Sequence, residues 1–441
     1  MHIALNSLRT FVFRVLTVGS LLGITVLTAR ALGEAGRGVY TLVVLVSTVA
    51  TTGLSGLGSA IAYQVSNEGR DLRAVIGNAL AIGTLVGGGL FLLSVLIWML
   101  PPAHGAWWLP IAGAAQPVLF ATTALVWAFL AVDDNRNYSY SLLAPSLAIL
   151  GFLLLFLAVF PHTAETAVVA WLCGQAVTLL WVLSRGWSSW TPVPWRAVRW
   201  SAMTGLGLFG LTSGVANLVS FFNYRADVFL TAAYLGDAKT GVYSVAVQTG
   251  EGLWFISSAV GVAIYAHVGM RTKEEAAELT ARAMRYSLAI IGMLGLALVL
   301  LANPLIPWLY GGAYRGAVPV FRVFIPGIAI FGLGTLFSTF YTNQLGRPRV
   351  PLLIAAVSLA INVLVCLVLI PTIGLSGGAW ASTLSYGVSM ALALTLFRRE
   401  TGLPWRRFLV LTGYDVRQAM ALARRVAGGM AGARGGDVPT T

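Results

Sequence analysis

Apolar runs of about 20 residues, separated by short polar breaks, recur along the whole chain. A helical run of this length spans a bilayer core, whereas membrane strands are about half as long. Each run therefore predicts one transmembrane helix, and a β-barrel is excluded. The predicted spans cover residues 12–31, 39–64, 74–100, 107–132, 138–160, 165–184, 204–235, 241–267, 286–302, 320–342, 350–370 and 378–397. The expected fold class is an all-α polytopic membrane protein with about twelve transmembrane helices.

The seventh and eighth runs repeat the first and second with a shift of 203 positions and no gap. The segment LGEAGRGVY at 32–40 matches LGDAKTGVY at 235–243. A helix, a tight turn and a second helix in one register predict an internal duplication. Six spans precede the second copy, so the two halves have the same orientation. We expect two six-helix lobes related by a pseudo-twofold axis along the membrane normal, with a central cleft between them.

This duplication sets the predicted domain organisation. Residues 1–184 form the N-terminal six-helix lobe and residues 203–400 the C-terminal one. The linker 185–202 alternates tryptophan and arginine and is predicted to lie at the cytoplasmic membrane interface. Residues 401–441 are predicted to be a cytoplasmic basic amphipathic segment followed by a glycine-rich disordered tail.

Composition agrees with this class, because 58% of residues are hydrophobic and only 10% are charged. A soluble chain of this length would not tolerate such a surface. The net charge of +13 arises mainly from arginines at span ends, concentrated in the connections after even-numbered spans. By the positive-inside rule these connections and both termini are cytoplasmic. The basic residues are scattered rather than clustered on one domain, which argues against a nucleic-acid partner.

Metal and disulfide chemistry have little support in the sequence. The two cysteines, Cys173 and Cys366, each fall within a predicted span, without metal-ligand spacing. Asp133 and Asp134 are the residues that a membrane glycosyltransferase or polymerase would use as metal ligands. They lie in a short turn, and no predicted loop is large enough for a catalytic domain. We therefore expect no enzyme activity, no metal and no bound cofactor.

Charges inside the apolar runs are the first candidates for function. Arg225 and Asp227 lie within the seventh run, where a charge costs roughly 3 kcal/mol on insertion scales. Glu251 lies as far after Ala238 as Arg225 lies before it, so an antiparallel hairpin places the two at the same depth. We predict a charged cluster of Arg225, Glu251 and Asp227 in the outer half of the second lobe.

Polar stripes on the second helix of each copy are the next candidates. Gln248 and Glu251 share a helical face with Ser244 and Ser258, and Thr48 stands where the second copy has Glu251. We assign these stripes to opposite walls of the cleft.

Three further polar residues lie on the first helices of the two copies, two in the first copy and one in the second. Asn217 corresponds to Arg14 in the cytoplasmic half of that helix, and Arg30 lies at the outer end of the first span. Snorkelling to the interface is the competing explanation for Arg14 and Arg30.

A structural ion pair between spans 7 and 8 is the competing explanation for the charged cluster. Arg225 and Asp227 correspond to Leu22 and Ile24 in the first copy. The shared fold therefore does not require charge there, which favours a functional role.

Several segments also resemble a known family. They are LTARALGEAGRGVYTLV at 27–43, GLGSAIAYQ at 56–64, NYRADVFLTAAYLGDAKTGVYSVA at 223–246, NQLGRPRV at 343–350 and LVLIPTIGLSGGAWAST at 367–383. With these segments the chain resembles the polysaccharide transporter branch of the multidrug/oligosaccharidyl-lipid/polysaccharide exporter superfamily, which also holds O-antigen flippases and lipid II flippases. Lipid II flippases carry extra C-terminal spans and an arginine-rich cleft, which this chain lacks.

The resemblance implies alternating access between two lobes. It also implies a flippase that carries a polyprenyl-pyrophosphate-linked oligosaccharide to the outer leaflet for O-antigen or exopolysaccharide synthesis. We expect the protein to be a monomer in contact with membrane lipids. Its expected partner enzymes are a polysaccharide polymerase and glycosyltransferases. The alternative within the superfamily is a cation-coupled multidrug antiporter, in which Asp227 and Glu251 would be the main functional residues and the arginine would be secondary. H⁺ or Na⁺ is the expected coupling ion.

Overall fold

The computed structural model describes residues 2–101, 105–194, 196, 198–411, 413 and 415, without the side chains of residues 2–11, 14, 212, 262, 263 and 265–267. No strand occurs among the described residues. The α-helices are α1 (His2–Leu54), α2 (Gly56–Ser66), α3 (Leu72–Trp98), α4 (Trp108–Ala114), α5 (Gln116–Ala131), α6 (Asn135–Val159), α7 (Ala164–Trp190), α8 (Trp200–Glu251), α9 (Trp254–Gly269), α10 (Lys273–Tyr310), α11 (Ala317–Phe331), α12 (Gly334–Thr339), α13 (Arg349–Ile373), α14 (Leu375–Thr401) and α15 (Arg406–Leu409). The predicted all-α membrane fold is confirmed.

Helices α1 and α8 are each a helical hairpin rather than one straight helix. They contain 53 and 52 residues, more than twice the roughly 20 that span a bilayer. Each is interrupted at one glycine with positive φ, Gly33 at 67° and Gly236 at 78°. Glycine adopts this backbone conformation without strain because it has no Cβ atom, whereas other residues are strained in it. The described chain has ten apolar helical segments, and counting each hairpin as two spans gives the predicted twelve.

The two hairpins pack against each other through glycines at equivalent positions. A methyl group at Gly38 would overlap the carbonyl oxygen of Asp237, and one at Gly241 would overlap the carbonyl oxygen of Glu34. Both members of the first contact map onto the second under the shift of 203 positions. Such reciprocal contacts indicate a local twofold axis between the hairpins. We call the end of the molecule where Gly33 and Gly236 lie the turn end.

Contacts divide the chain into two compact units. The first comprises Met1–Gly252, Leu298–Gly327 and Leu352–Ser389, and the second comprises Leu253–Ala297, Ile328–Pro351 and Met390–Thr441. These units do not test the lobe boundaries 1–184 and 203–400, which stay a prediction. The first residues of the predicted linker 185–202 continue α7 as far as Trp190, and α8 begins at Trp200.

The first unit buries its core between helices and exposes apolar side chains on its outside. Val43 on α1, Leu153 on α6 and Trp171 on α7 are buried in one cluster. Large apolar side chains such as Leu92 on α3 and Leu364 on α13 remain more than 60% exposed. Apolar surface of this extent fits contact with lipid tails.

The second unit contains the described part of the C-terminal segment. Phe408 on α15 is fully buried and packs edge-on against Phe397, which packs edge-on against Phe340. Asp415 accepts a hydrogen bond from Arg285 at 2.6 Å. The segment 401–441 was expected to lie on lipid, but its first residues pack on protein, because Phe408 inserts into an aromatic stack. The rest of the predicted amphipathic helix and tail lies outside the described residues.

Candidate functional site

The α8 hairpin places Arg225 and Glu251 in a two-point ion pair. The Arg225 Nη2 atom donates to Glu251 Oε2 at 2.8 Å, and Nη1 donates to Oε1. The side chains are 25% and 13% exposed, so the pair lies mostly within protein. The pairing that hairpin depth predicts is confirmed. A forked guanidinium–carboxylate contact is directional and leaves the pair neutral as a whole.

Asp227 lies nearby but is held by different groups. It is only 2% exposed, and its Oδ2 accepts hydrogen bonds from the Tyr243 hydroxyl at 2.6 Å and the Ser382 hydroxyl at 2.8 Å. Its Oδ1 accepts from the backbone N–H of Val228 at 2.8 Å. No basic side chain of the described residues lies within 4.0 Å of this carboxylate. Asp227 and Arg225 therefore have separate partners, as their spacing on one helix predicts.

Further buried polar groups extend from Asp227 into α13 and α14. Asn362 donates to the Ser382 hydroxyl at 3.0 Å, and Ser382 donates in turn to Asp227. Asn223 lies one helical turn before Asp227, and its side-chain amide has no hydrogen-bond partner among the described residues. Carboxylate, amide and hydroxyl oxygens together suit a proton or a hard cation. No group of three or more His, Cys, Asp or Glu side chains with metal-site geometry occurs in the described part of the chain.

Arg37 is the functional candidate that the sequence analysis missed. It falls between the first two predicted spans, 12–31 and 39–64, but the structure places it on α1, 1% exposed. Its Nη1 donates to the Thr28 hydroxyl and its Nη2 to Gln248 Oε1, both at 2.6 Å. No carboxylate of the described residues lies within 4.0 Å of it, and the Tyr40 ring lies 5.7 Å from its guanidinium carbon. Guanidinium stays ionised in proteins, so this buried positive charge is uncompensated.

A signal for Arg37 was present in the polar stripe of span 2. Thr41 corresponds to Ser244 of the second stripe under the repeat, and Arg37 lies one helical turn before Thr41 on the same face. Extending the stripe upstream across the assumed loop end would have included it.

The two stripes meet directly at the turn end. Thr41 donates to Ser244 at 3.2 Å, and these residues are equivalent under the repeat. Gln248 accepts a hydrogen bond from Thr25 at 2.9 Å in addition to that from Arg37. The stripes therefore face each other as predicted, but here they touch, so no cleft separates them at this level. Hydrogen bonds and glycine contacts close the turn end.

The remaining predicted site residues are dispersed. Arg30 donates to the backbone carbonyls of Leu309 and Trp308, where α10 leaves its last carbonyls unbonded. Asn217 donates to the Ser55 hydroxyl at 2.8 Å. Thr48 is exposed and bonds only a carbonyl of its own helix. The side chain of Arg14 lies outside the described residues. None of these three described side chains joins Arg225 or Asp227.

Comparison with known proteins assigns the chain to a family. A family model described as "Polysaccharide biosynthesis protein" matches residues 27–319. The chain belongs to the polysaccharide biosynthesis protein family. The matched region of this family member includes the turn and the second helix of the α1 hairpin, the whole α8 hairpin and the start of α11. No curated protein sequence matches the chain.

Solved structures extend the similarity to most of this polysaccharide biosynthesis family member. The lipid II flippase MurJ in an inward closed conformation has a TM-score of 0.68 and 16% identity, covering 90% of each chain. An inward-facing multidrug resistance MATE family transporter of the MOP superfamily has a TM-score of 0.66 and 15% identity, covering 88% of this chain and 94% of its own. A MOP superfamily transporter from Pyrococcus furiosus has a TM-score of 0.55 and 15% identity, with 90% and 94% covered. These similarities show a shared MOP transporter fold.

Proposed function

We propose that this protein is a flippase that moves a polyprenyl-pyrophosphate-linked oligosaccharide from the cytoplasmic to the outer leaflet by alternating access. The family match and the fold it shares with a lipid flippase support this class. The setting is the bacterial cytoplasmic membrane with both termini cytoplasmic, and the turn end then faces outward. The product would serve cell-surface polysaccharide synthesis, with a polymerase and glycosyltransferases as neighbours of a monomeric carrier.

The observation that carries the proposal is the closure of the turn end around Arg37. Two copies of one hairpin meet there through hydrogen bonds to neutral groups, and a buried positive charge lies at the contact. A hydrogen bond between neutral groups contributes about 1 kcal/mol and one from a charged donor about 1.5–3 kcal/mol, so the few bonds of this contact can separate. When it opens, Arg37 would face the cleft with its charge available to a pyrophosphate by charge-assisted hydrogen bonds.

The ion pair on the α8 hairpin has a different role in this scheme. Arg225 is neutralised by Glu251 until a stronger anion competes for its fork. A pyrophosphate that takes Arg225 releases Glu251, and a released carboxylate in a low-dielectric site favours uptake of H⁺ or Na⁺. In this scheme Arg14 meets the phosphates early, Arg225 later and Arg37 last, while Glu251 and the nearby Asp227 are the carboxylates that bind the coupling ion.

A deletion in the native host tests the function. Surface glycan and the pool of lipid-linked saccharide are followed during complementation with wild type, Arg225→Ala, Glu251→Gln and Arg37→Met. Loss of surface glycan with intermediate accumulating on the cytoplasmic face, rescued by wild type but not by these variants, supports the flippase. Arg136→Ala is the matched control, because Arg136 is exposed and only stacks on Tyr140.

Two outcomes contradict parts of the scheme. If export stays intact when alanine replaces both Arg14 and Arg225, these arginines do not bind the phosphates as proposed. Normal surface glycan in the deletion strain, together with new sensitivity to cationic drugs, removes the flippase.

The second candidate is a cation-coupled multidrug antiporter, favoured by the buried carboxylate of Asp227. A carboxylate held by two hydroxyl groups without a basic partner suits repeated binding and release of a cation. Asp227→Asn that abolishes drug efflux while sparing glycan export would favour this function.

A further inference from the structure

An open groove lies between the end of α10 and the start of α11, within the first unit. It has a volume of about 650 Å³, within the range of pockets that hold small ligands. Two arginines and one asparagine supply its polar groups, and three apolar residues supply the rest. The lining residues are Asn303, Arg315, Val318, Pro319, Arg322 and Val323.

Positive charge in this groove has no counter-charge. Arg315 is exposed, and Arg322 is half-buried with its Nε donating to the Val299 carbonyl at 3.2 Å. Among the described residues no carboxylate lies within 4.0 Å of either guanidinium. The two side chains therefore present donors to a ligand rather than to an acid of this chain.

Helical spacing explains why charge and apolar surface share one wall. Pro319 and Arg322 lie three positions apart on one face at the start of α11, and Arg315 lies two residues before that helix, in the short 3₁₀ helix Gly312–Gly316. The opposite face is core, because Phe321 and Phe324 are fully buried. The groove wall is thus the one face of α11 left for an external ligand.

The groove lies at the turn end and beside lipid-facing surface. The Tyr314 hydroxyl, next to Arg315, donates to the Ala29 carbonyl at 3.1 Å, four residues before Gly33. On α10, Leu300 and Trp308 are 68% and 71% exposed. Arg322 follows the first residue of α11 by five positions, or about 8 Å of helix. A helix that spans the whole bilayer crosses the headgroup layer in its first turns, so a lipid phosphate would lie near this depth.

We propose that this groove binds the phosphate group of a membrane lipid in the leaflet on the side of the turn end. The two guanidinium groups and the Asn303 amide bind the phosphate oxygens, and one acyl chain leaves along the apolar wall past Val318 and Val323. A guanidinium fork matches phosphate oxygens geometrically, and apolar residues beside it favour a ligand with a tail over a free anion. This site is separate from the charged groups of the α8 hairpin and does not depend on the proposed function.

Native mass spectrometry of the full chain in detergent tests the site with three probes: phosphatidylglycerol, a diglucosyl diacylglycerol with the same tails and no phosphate, and inorganic pyrophosphate. We expect tight retention of one phosphatidylglycerol. Each of Arg315→Gln and Arg322→Gln should weaken it about tenfold, equivalent to about 1.4 kcal/mol, because charge-assisted hydrogen bonds to the phosphate are lost. The matched control is Arg271→Gln with Arg349→Gln, which removes the same charge from exposed arginines outside the groove.

Each remaining outcome decides the assignment. Equal retention of phosphatidylglycerol by the double variant Arg315→Gln/Arg322→Gln overturns the site, and so does equal loss in the control. Retention of the glucosyl lipid as strongly as phosphatidylglycerol overturns recognition of phosphate. Displacement of the lipid by millimolar pyrophosphate overturns recognition of a lipid. Arg315 is exposed, so its single variant remains interpretable if the double variant fails to fold.

Discussion

The α1 hairpin and the α8 hairpin turn at equivalent glycines and pack through equivalent glycines, yet the charged side chains within their helices occupy different positions. In the α8 hairpin an arginine is paired with a carboxylate, and a second carboxylate is held by hydroxyl groups. In the α1 hairpin Arg37 is buried, and no carboxylate of the described residues lies within 4.0 Å of it. Five pairs of positions that are equivalent under the repeat carry chemically different residues. They are Arg225 and Leu22, Asp227 and Ile24, Glu251 and Thr48, Arg37 and Thr240, and Gln248 and Leu45.

This difference separates what the fold needs from what the function needs. The glycines recur in both copies because backbones approach too closely there for any side chain. The charges at these five pairs of positions are not shared between the copies, so each hairpin folds without those charges of the other. We infer that the asymmetric charges act on the transported molecule and its coupling ion, and substitutions that exchange residues between the copies test this directly.

The largest effect is expected from the shared glycine contact. Gly38→Ala places a methyl group on the carbonyl oxygen of Asp237, and a backbone atom cannot move aside as a side chain can. We expect a loss of at least about 3 kcal/mol in the free energy of unfolding, followed by thermal unfolding in detergent. Gly151→Ala is the control, because a methyl group there meets nothing within 4 Å. Equal stability of the two variants would show that the hairpins are not in contact.

The next effect concerns the carboxylate held by hydroxyl groups. Asp227→Ile, which introduces the residue of the first copy, leaves the Tyr243 and Ser382 hydroxyls buried without their acceptor. We expect a loss of about 2–3 kcal/mol. Asp227→Asn keeps an acceptor oxygen and should lose less than half of that. Equal losses in the same unfolding assay would mean that packing, rather than hydrogen bonding, is what Asp227 provides.

The ion pair should show coupling between its two members. Arg225→Leu leaves Glu251 without its partner, and Glu251→Thr leaves Arg225 without its own, so each should lose about 2 kcal/mol. The double variant carries the residues of the first copy and should lie within about 1 kcal/mol of wild type while failing in glycan export. Additive losses in unfolding would contradict the pairing, and normal export by the double variant would make the pair purely structural.

The smallest effect on stability is expected at Arg37. Arg37→Met replaces an uncompensated buried charge by an apolar chain of similar length, so stability should change by less than about 1 kcal/mol. Glycan export should nevertheless fall. Arg37→Lys should retain part of the export, because lysine keeps the positive charge but lacks the forked donors of a guanidinium group. A loss above about 3 kcal/mol with Arg37→Met would show that Arg37 holds the fold together instead.

These expectations also show what the sequence could and could not predict. The Arg225–Glu251 pair follows from counting outward from a turn, because hairpin depth is a local property. The partners of Asp227 cannot be derived in this way, because Ser382 lies 155 positions away and no periodicity links it to α8. Thr48 was assigned by equivalence to Glu251, but it only bonds its own helix. Equivalence under the repeat predicts backbone position, whereas the chemistry of a position depends on neighbours from other helices.

The hairpin form of α8 also has a consequence for biosynthesis. As the first half of α8 leaves the ribosome, it carries Arg225 and Asp227 into the insertion machinery at a cost of roughly 3 kcal/mol each. Glu251 lies 26 positions after Arg225 and is synthesised only with the second half. We therefore expect both halves to wait at the translocon and enter the lipid together, as a preassembled pair of helices that has neutralised its own arginine.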